Sequence, residues 1–113
     1  MSRKRYVILA KCYDKRKRLM SVGENSYSKT STVMSYFAER VGLPAKVFLH
    51  AEVQSLLRCK DKKPYRMTIE RYDNEGNFAL AKPCAVCTEA IKAWGISVIE
   101  YTSPKGWVRE VLN

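Results

Sequence analysis

The sequence has a single histidine, His50, in 113 residues, and its 11 acidic side chains are outnumbered by 21 lysines and arginines. No apolar run approaches the roughly 20 residues that span a bilayer, which excludes a transmembrane helix. The short apolar run at residues 6–10 is followed by no small-residue cleavage site, so a strand is expected there rather than a secretory signal. No internal repeat and no low-complexity linker divides the chain, and one domain over residues 1–113 is expected. With 46% apolar residues the chain can bury a core, which excludes disorder.

Cysteine is also scarce: Cys12, Cys59, Cys84 and Cys87. Four thiols could make two disulfides in an exported protein. The close Cys84/Cys87 pair and the absence of an export signal argue instead for free thiols in a reducing cytoplasm.

The charge imbalance leaves a net +10. Cations cluster at residues 3–5, 15–18 and 60–63. They are either solvated loops or an attractor for phosphates on a nucleotide or a nucleic-acid strand. Sequence does not reveal whether the clusters share a face.

Hydrophobic periodicity orders the rest. Residues 6–13 are apolar on both alternating faces, as in a central strand. A polar turn at 14–17 joins them to a strand at 18–23, forming an antiparallel hairpin. Gly23 reads as the bend that ends this strand. Val33, Phe37 and Val41 recur at helical spacing, with Ser31 and Thr32 available as caps and Gly42 and Pro44 as stops. A second helix is expected over about residues 50–59, with Val53, Leu56 and Leu57 on its buried stripe. Residues 65–72 alternate as a strand, 73–77 turn about Gly76, and a third helix runs from near Cys84 to Gly95. Residues 96–102 form another strand; 107–112 fit either a last strand or a helical turn. Strand, helix and strand in this rhythm predict parallel crossovers and a three-layer α/β/α domain around a mixed central sheet. Tyr6, Phe37, Phe48, Tyr65 and Trp94 all read as core.

Two short motifs carry the chemistry, His50-Ala51-Glu52 and Pro83-Cys84-Ala85-Val86-Cys87. Cys84 and Cys87 are three apart, so one helical turn points both sulfurs the same way. Pro83 suits a helix start, and thiolates are favoured at that positive end. His50 begins the preceding helix. Successive crossovers bring two such helix starts to one edge of a parallel sheet, where α/β folds bind ligands. A CxxC alone is a weak signal, shared with redox motifs and structural zinc knuckles. A structural site needs a fourth protein ligand. Cys12 reads as a core residue, and Cys59 lies about 13 Å from His50 along its helix. Three ligands, His50, Cys84 and Cys87, leave an open position for water, as in catalytic Zn2+ sites. Two thiolates offset the charge of the dication, so a carboxylate is needed to complete deprotonation of water, and Glu52 is placed for it.

The conjunction resembles the H-x-E…P-C-x-x-C signature of the cytidine/deoxycytidylate deaminase superfamily, over about residues 5–103. The resemblance implies a cytidine-deaminase-like fold and a hydrolytic reaction that converts cytosine to uracil and releases ammonia. Glu52 is then the proton carrier and not a metal ligand, the backbone N–H of Ala51 meets the base, and Asn25, with Tyr27 beside it, contacts the sugar. The run Ala90-Ile91…Gly95-Ile96…Val98…Tyr101 is similar to the deoxycytidylate (dCMP) branch. Gln54 departs from the Asn common in that branch, and Lys82 before Pro83 departs from the acidic or small polar residues of other branches. Three functions are therefore weighed. The first is deamination of a cytosine nucleoside or (deoxy)nucleotide by a homo-oligomer with no membrane partner. The second is deamination within single-stranded DNA, RNA or tRNA, served by the basic surface. The third is a zinc-stabilised nucleic-acid-binding module without catalysis.

Overall fold

A computed structural model describes residues 7–25, 30–43, 49–60 and 62–112. Its first elements are strands β1 (Val7–Tyr13) and β2 (Leu19–Glu24), paired antiparallel. Asp14 builds the turn between them. Its Oδ1 accepts from the backbone N–H groups of Arg16 at 2.8 Å and Arg18 at 2.9 Å. Lys17 takes a left-handed φ of 65° to close the turn.

Helix α1 (Thr32–Arg40) is capped by Ser31, whose hydroxyl accepts from the Met34 N–H. Helix α2 (Ala51–Arg58) leads to strand β3 (Arg66–Tyr72), and helix α3 (Ala85–Ala93) leads to strand β4 (Val98–Ser103). Strand β5 (Gly106–Val111) closes the described chain. The tail is thus a strand, paired antiparallel with β4 through a turn in which Gly106 adopts φ 119°.

The sheet order is β2-β1-β3-β4-β5. β3 and β4 pair in parallel across α3, and β2 and β3 both run antiparallel to β1 between them. The mixed α/β class, the N-terminal hairpin and the parallel crossovers are as the sequence predicts. Register places Ala10, Cys12, Met67, Ile69, Ile99 and Tyr101 on one sheet face. These join the buried residues of all three helices in a single core cluster. Both crossovers step the same way along the sheet, and the right-handed rule sends their helices to the same side. The three described helices therefore pack as one layer on one side of the sheet.

The opposite face carries polar and charged side chains that pair with one another. Lys11 meets Glu70 at 3.4 Å and Arg66 meets Glu100 at 2.9 Å, with the Arg66 guanidinium 4.9 Å from the Tyr13 ring centroid. No helix among the described residues is long and apolar enough to cross a membrane.

Three sequence readings change. Gly23 lies inside β2, and Tyr65 precedes β3 with its side chain exposed rather than in the core. Trp94 is half-buried at the end of α3. Tyr6, Tyr27, Pro44 and Phe48 lie outside the described residues.

Candidate metal centre

His50 is the N-cap of α2 and Cys84 the N-cap of α3, each with extended backbone. Their helices lead into β3 and β4, which run parallel, so the two helix starts meet at one edge of the sheet. One turn into α3, Cys87 turns back toward Cys84. His50 Nδ1 lies 3.2 Å from Cys87 Sγ and 3.7 Å from Cys84 Sγ. The ligand atoms of His50, Cys84 and Cys87 all fall within 4.8 Å of one another.

This donor set fits a metal ion. Zinc bonds of about 2.0 Å to nitrogen and 2.3 Å to sulfur put tetrahedral ligand atoms about 3.5 Å apart. The two His50–cysteine separations bracket that value. The site's electrostatics also suit a cation. The Cys84 thiol is lowered to about 3 because the Cys87 S–H donates to it and His50 adds a further hydrogen bond. Cys87 is correspondingly raised well above its ordinary value, by that same donation and by burial. The arrangement favours the thiolate at Cys84 over Cys87, whose proton a metal would displace.

Glu52 follows two residues after His50 and is buried, with 6% of its surface exposed. Burial raises its carboxyl, opposed by its own backbone N–H and by the charge of His50. The charge of Cys84 raises it further, and the neighbouring Cys87 thiol lowers it. A carboxyl in contact with the cysteine cluster, yet outside the group of metal-ligating atoms, can exchange a proton at the site.

Ala51 is fully buried at the first position of α2. Asn25 follows β2 directly; its Oδ1 accepts from the Ile8 N–H at 3.1 Å, and its own N–H reaches the Ile8 carbonyl at 3.4 Å. Both bonds tie it to the edge of β1 next to the start of α2. Tyr27 lies outside the described residues.

Cys12 and Cys59 are buried; Cys59 caps the end of α2 opposite His50, and Cys12 meets Ser55 partway along that helix. Ser55 Oγ donates to Cys12 at 3.2 Å, and Ser21 Oγ lies 2.9 Å from Ser55 Oγ and 3.2 Å from Cys59 Sγ. This small polar seam fastens α2 to β1 and β2.

Two residues take structural roles that the sequence reading did not give them. Gly23 lets the helix start come down onto the strand: a Cβ there would strike the Ala51 carbonyl and lie 2.6 Å from the Ser55 nitrogen. Gln54 Oε1 accepts from the Glu24 N–H at 2.8 Å, holding the end of β2 to α2. A glycine at a strand end, two residues before a polar side chain, was the available signal, but a turn explains it equally well.

No protein-family model and no curated protein matches the sequence. A solved structure, that of a mutant cytidine deaminase from Mycobacterium tuberculosis, has a similar fold. The two share 18% identity, the match covers 93% of this chain and 73% of that one, and the TM-score is 0.50. At that identity the likeness establishes the fold: this chain has a cytidine-deaminase-like α/β architecture.

Proposed function

We propose that this chain is a zinc-dependent hydrolytic deaminase that converts cytosine to uracil in a nucleoside or (deoxy)nucleotide, releasing ammonia. The observation that carries the reading is the convergence of His50, Cys84 and Cys87 within 4.8 Å, with the buried Glu52 in contact with Cys87. His50, Cys84 and Cys87 would hold the zinc, which supplies Lewis-acid activation of a water molecule. Glu52 would accept a proton from the attacking water and deliver it to the ring nitrogen as the water oxygen bonds to the amino-bearing carbon. It would then carry the remaining hydroxyl proton to the exocyclic amine as the carbon–nitrogen bond breaks and ammonia departs. The raised affinity of Glu52 for a proton suits a group that must both take and return one.

The start of α2 serves binding. The Ala51 N–H is one of the unsatisfied donors at a helix start and is assigned to the base. Asn25, anchored by Ile8, is assigned to the sugar, with Tyr27 beside it in sequence. A purely structural zinc site has no use for a buried carboxyl in this position, which disfavours a binding module without catalysis. Cytoplasmic location, a homo-oligomeric state and one domain over residues 1–113 belong to the same proposal.

The direct test is ammonia release from a panel of cytosine and adenine bases, nucleosides, nucleotides and oligonucleotides. The reading predicts turnover of a cytosine nucleoside or mononucleotide. Turnover of oligonucleotides alone would overturn the substrate assignment, and no ammonia from any member, with zinc bound, would overturn the enzyme.

A further inference from the structure

Two of the three basic clusters, separated by over 40 residues in sequence, come together in space. Residues 15–18 form the β1–β2 turn, and Lys60 and residues 62–65 lie between α2 and β3. Both lie at the end of the sheet where α2 and α3 finish. His50 and Cys84 lie where those helices begin, a helix length of about 12 Å away. Three recesses adjoin there. One of about 520 Å³ is lined by Lys15, Arg16, Arg18, Lys63, Tyr65 and others. A second, of about 540 Å³, shares Arg18 and Lys63 and adds Lys62. A third, of about 410 Å³, continues past Lys60 to Trp94.

Among the described residues the charge is not neutralised locally. Asp14 is the acidic residue lining these recesses among the described residues, and it is spent on the turn: it accepts the Arg16 and Arg18 N–H groups and the Arg18 Nε at 2.8 Å. Lys15, Arg16, Lys60, Lys62 and Lys63 make no ion pair among the described residues. Tyr65 stands among them, 37% exposed, with the Lys15 ammonium 5.9 Å from its ring centroid. Its backbone is fixed, since its N–H donates to Tyr13 and its carbonyl accepts from Ser97.

We propose that this end of the molecule binds single-stranded nucleic acid, as a surface separate from the metal centre. A row of cations follows a phosphodiester backbone, and a rigid aromatic ring in a recess stacks an unpaired base. A duplex keeps its bases stacked inside and has no use for Tyr65. A flat anionic bilayer would reward a convex apolar face rather than recesses. The proposal goes beyond the deaminase reading and stands without it, because binding is measured with no turnover.

The experiment is fluorescence anisotropy of the zinc-loaded protein with a labelled single strand of roughly 20 nucleotides, across a salt series. The same-sequence duplex and anionic phosphatidylserine vesicles are the comparison probes. Engagement of four or five phosphates predicts a slope of log affinity on log salt of about −3. The Arg16→Ala/Lys62→Ala/Lys63→Ala protein should flatten that slope by about 2. Tyr65→Ala should weaken single-strand binding about tenfold or more at unchanged slope, and Tyr65→Phe should restore it. Zinc content and melting temperature should not move in any of these proteins. An unchanged slope in the triple variant, or duplex or vesicles held as tightly as the single strand, would overturn the proposal. So would an equal loss from Lys82→Ala, beside the metal centre.

Discussion

Gly23 and Ala51 meet so closely that no side chain fits between them: a Cβ at position 23 would run into the Ala51 carbonyl oxygen and sit 2.6 Å from the Ser55 nitrogen. Both obstacles are helix backbone, which cannot step aside as a flexible side chain would. The contact sets the height of α2 above β2, and with it the position of the residues on either side of Ala51, His50 and Glu52. Gly23→Ala should therefore cost about 1–3 kcal/mol, seen as a lower urea midpoint at unchanged slope. Deaminase turnover should fall further than stability does, because the helix start moves relative to α3. Wild-type stability in Gly23→Ala would show that α2 does not bear on β2 as described.

A metal held by His50, Cys84 and Cys87 would tie two helix starts together, so its loss should be felt in both composition and folding. Cys84→Ala and Cys87→Ala should each drop bound zinc from about one per chain to near zero. Chelation of the wild type should lower its melting temperature toward that of the variants. Elemental analysis with a thermal melt checks this. Stoichiometric zinc in Cys87→Ala would remove that residue from the ligand set.

Cys12 and Cys59 should behave oppositely. Cys12→Ala and Cys59→Ser should keep full zinc and activity and lose only about 1 kcal/mol each from the seam under α2. Burial pushes the Cys12 thiol up to about 12. The folded state then holds this proton more tightly than the unfolded chain, whose thiol titrates near 8.5. Its contribution to stability is complete below that value and is lost as pH rises from there toward 12. Urea midpoints between about pH 8 and 11 should fall more steeply for the wild type than for Cys12→Ala. Parallel curves would mean that Cys12 titrates normally.

The cluster of His50, Cys84 and Cys87 was legible in the sequence. Residue type and spacing singled out these three and Glu52, and helix starts bring such residues together in any parallel crossover. Strand and helix periodicity likewise located the elements, to within a residue or two at their ends. The residues 107–112 stayed ambiguous because Trp107 and Val111, both apolar, face solvent on β5, so the pattern lacked a buried side. Tyr65 looked like core because it precedes an alternating strand, yet the strand begins one residue later and leaves its ring outside. Gly23 was visible as a strand-end glycine but its close approach was not, since the partner backbone is nearly 30 residues away. The meeting of residues 15–18 with 60–63 depends on β1 lying between β2 and β3, a topological fact that composition does not contain.

Turnover of a monomeric substrate should depend only weakly on salt, since few counterions are released on binding one nucleotide. The rate for a cytosine mononucleotide, measured at low substrate, should change by less than about tenfold across a tenfold range of salt. A slope of several log units, with oligonucleotides turned over faster than mononucleotides, would instead make a polymer the substrate.

Glu52→Gln tests the central claim most directly, because it removes the proton acceptor and preserves the shape of the buried side chain. Ammonia release from a cytosine nucleoside or nucleotide should fall about a thousandfold, within the usual range for loss of a general acid–base group. Zinc content and melting temperature should stay at the wild-type values. A Glu52→Gln protein that binds zinc, folds and keeps most of its rate would contradict the assignment of Glu52 as the proton carrier, and with it the deaminase mechanism built on this site.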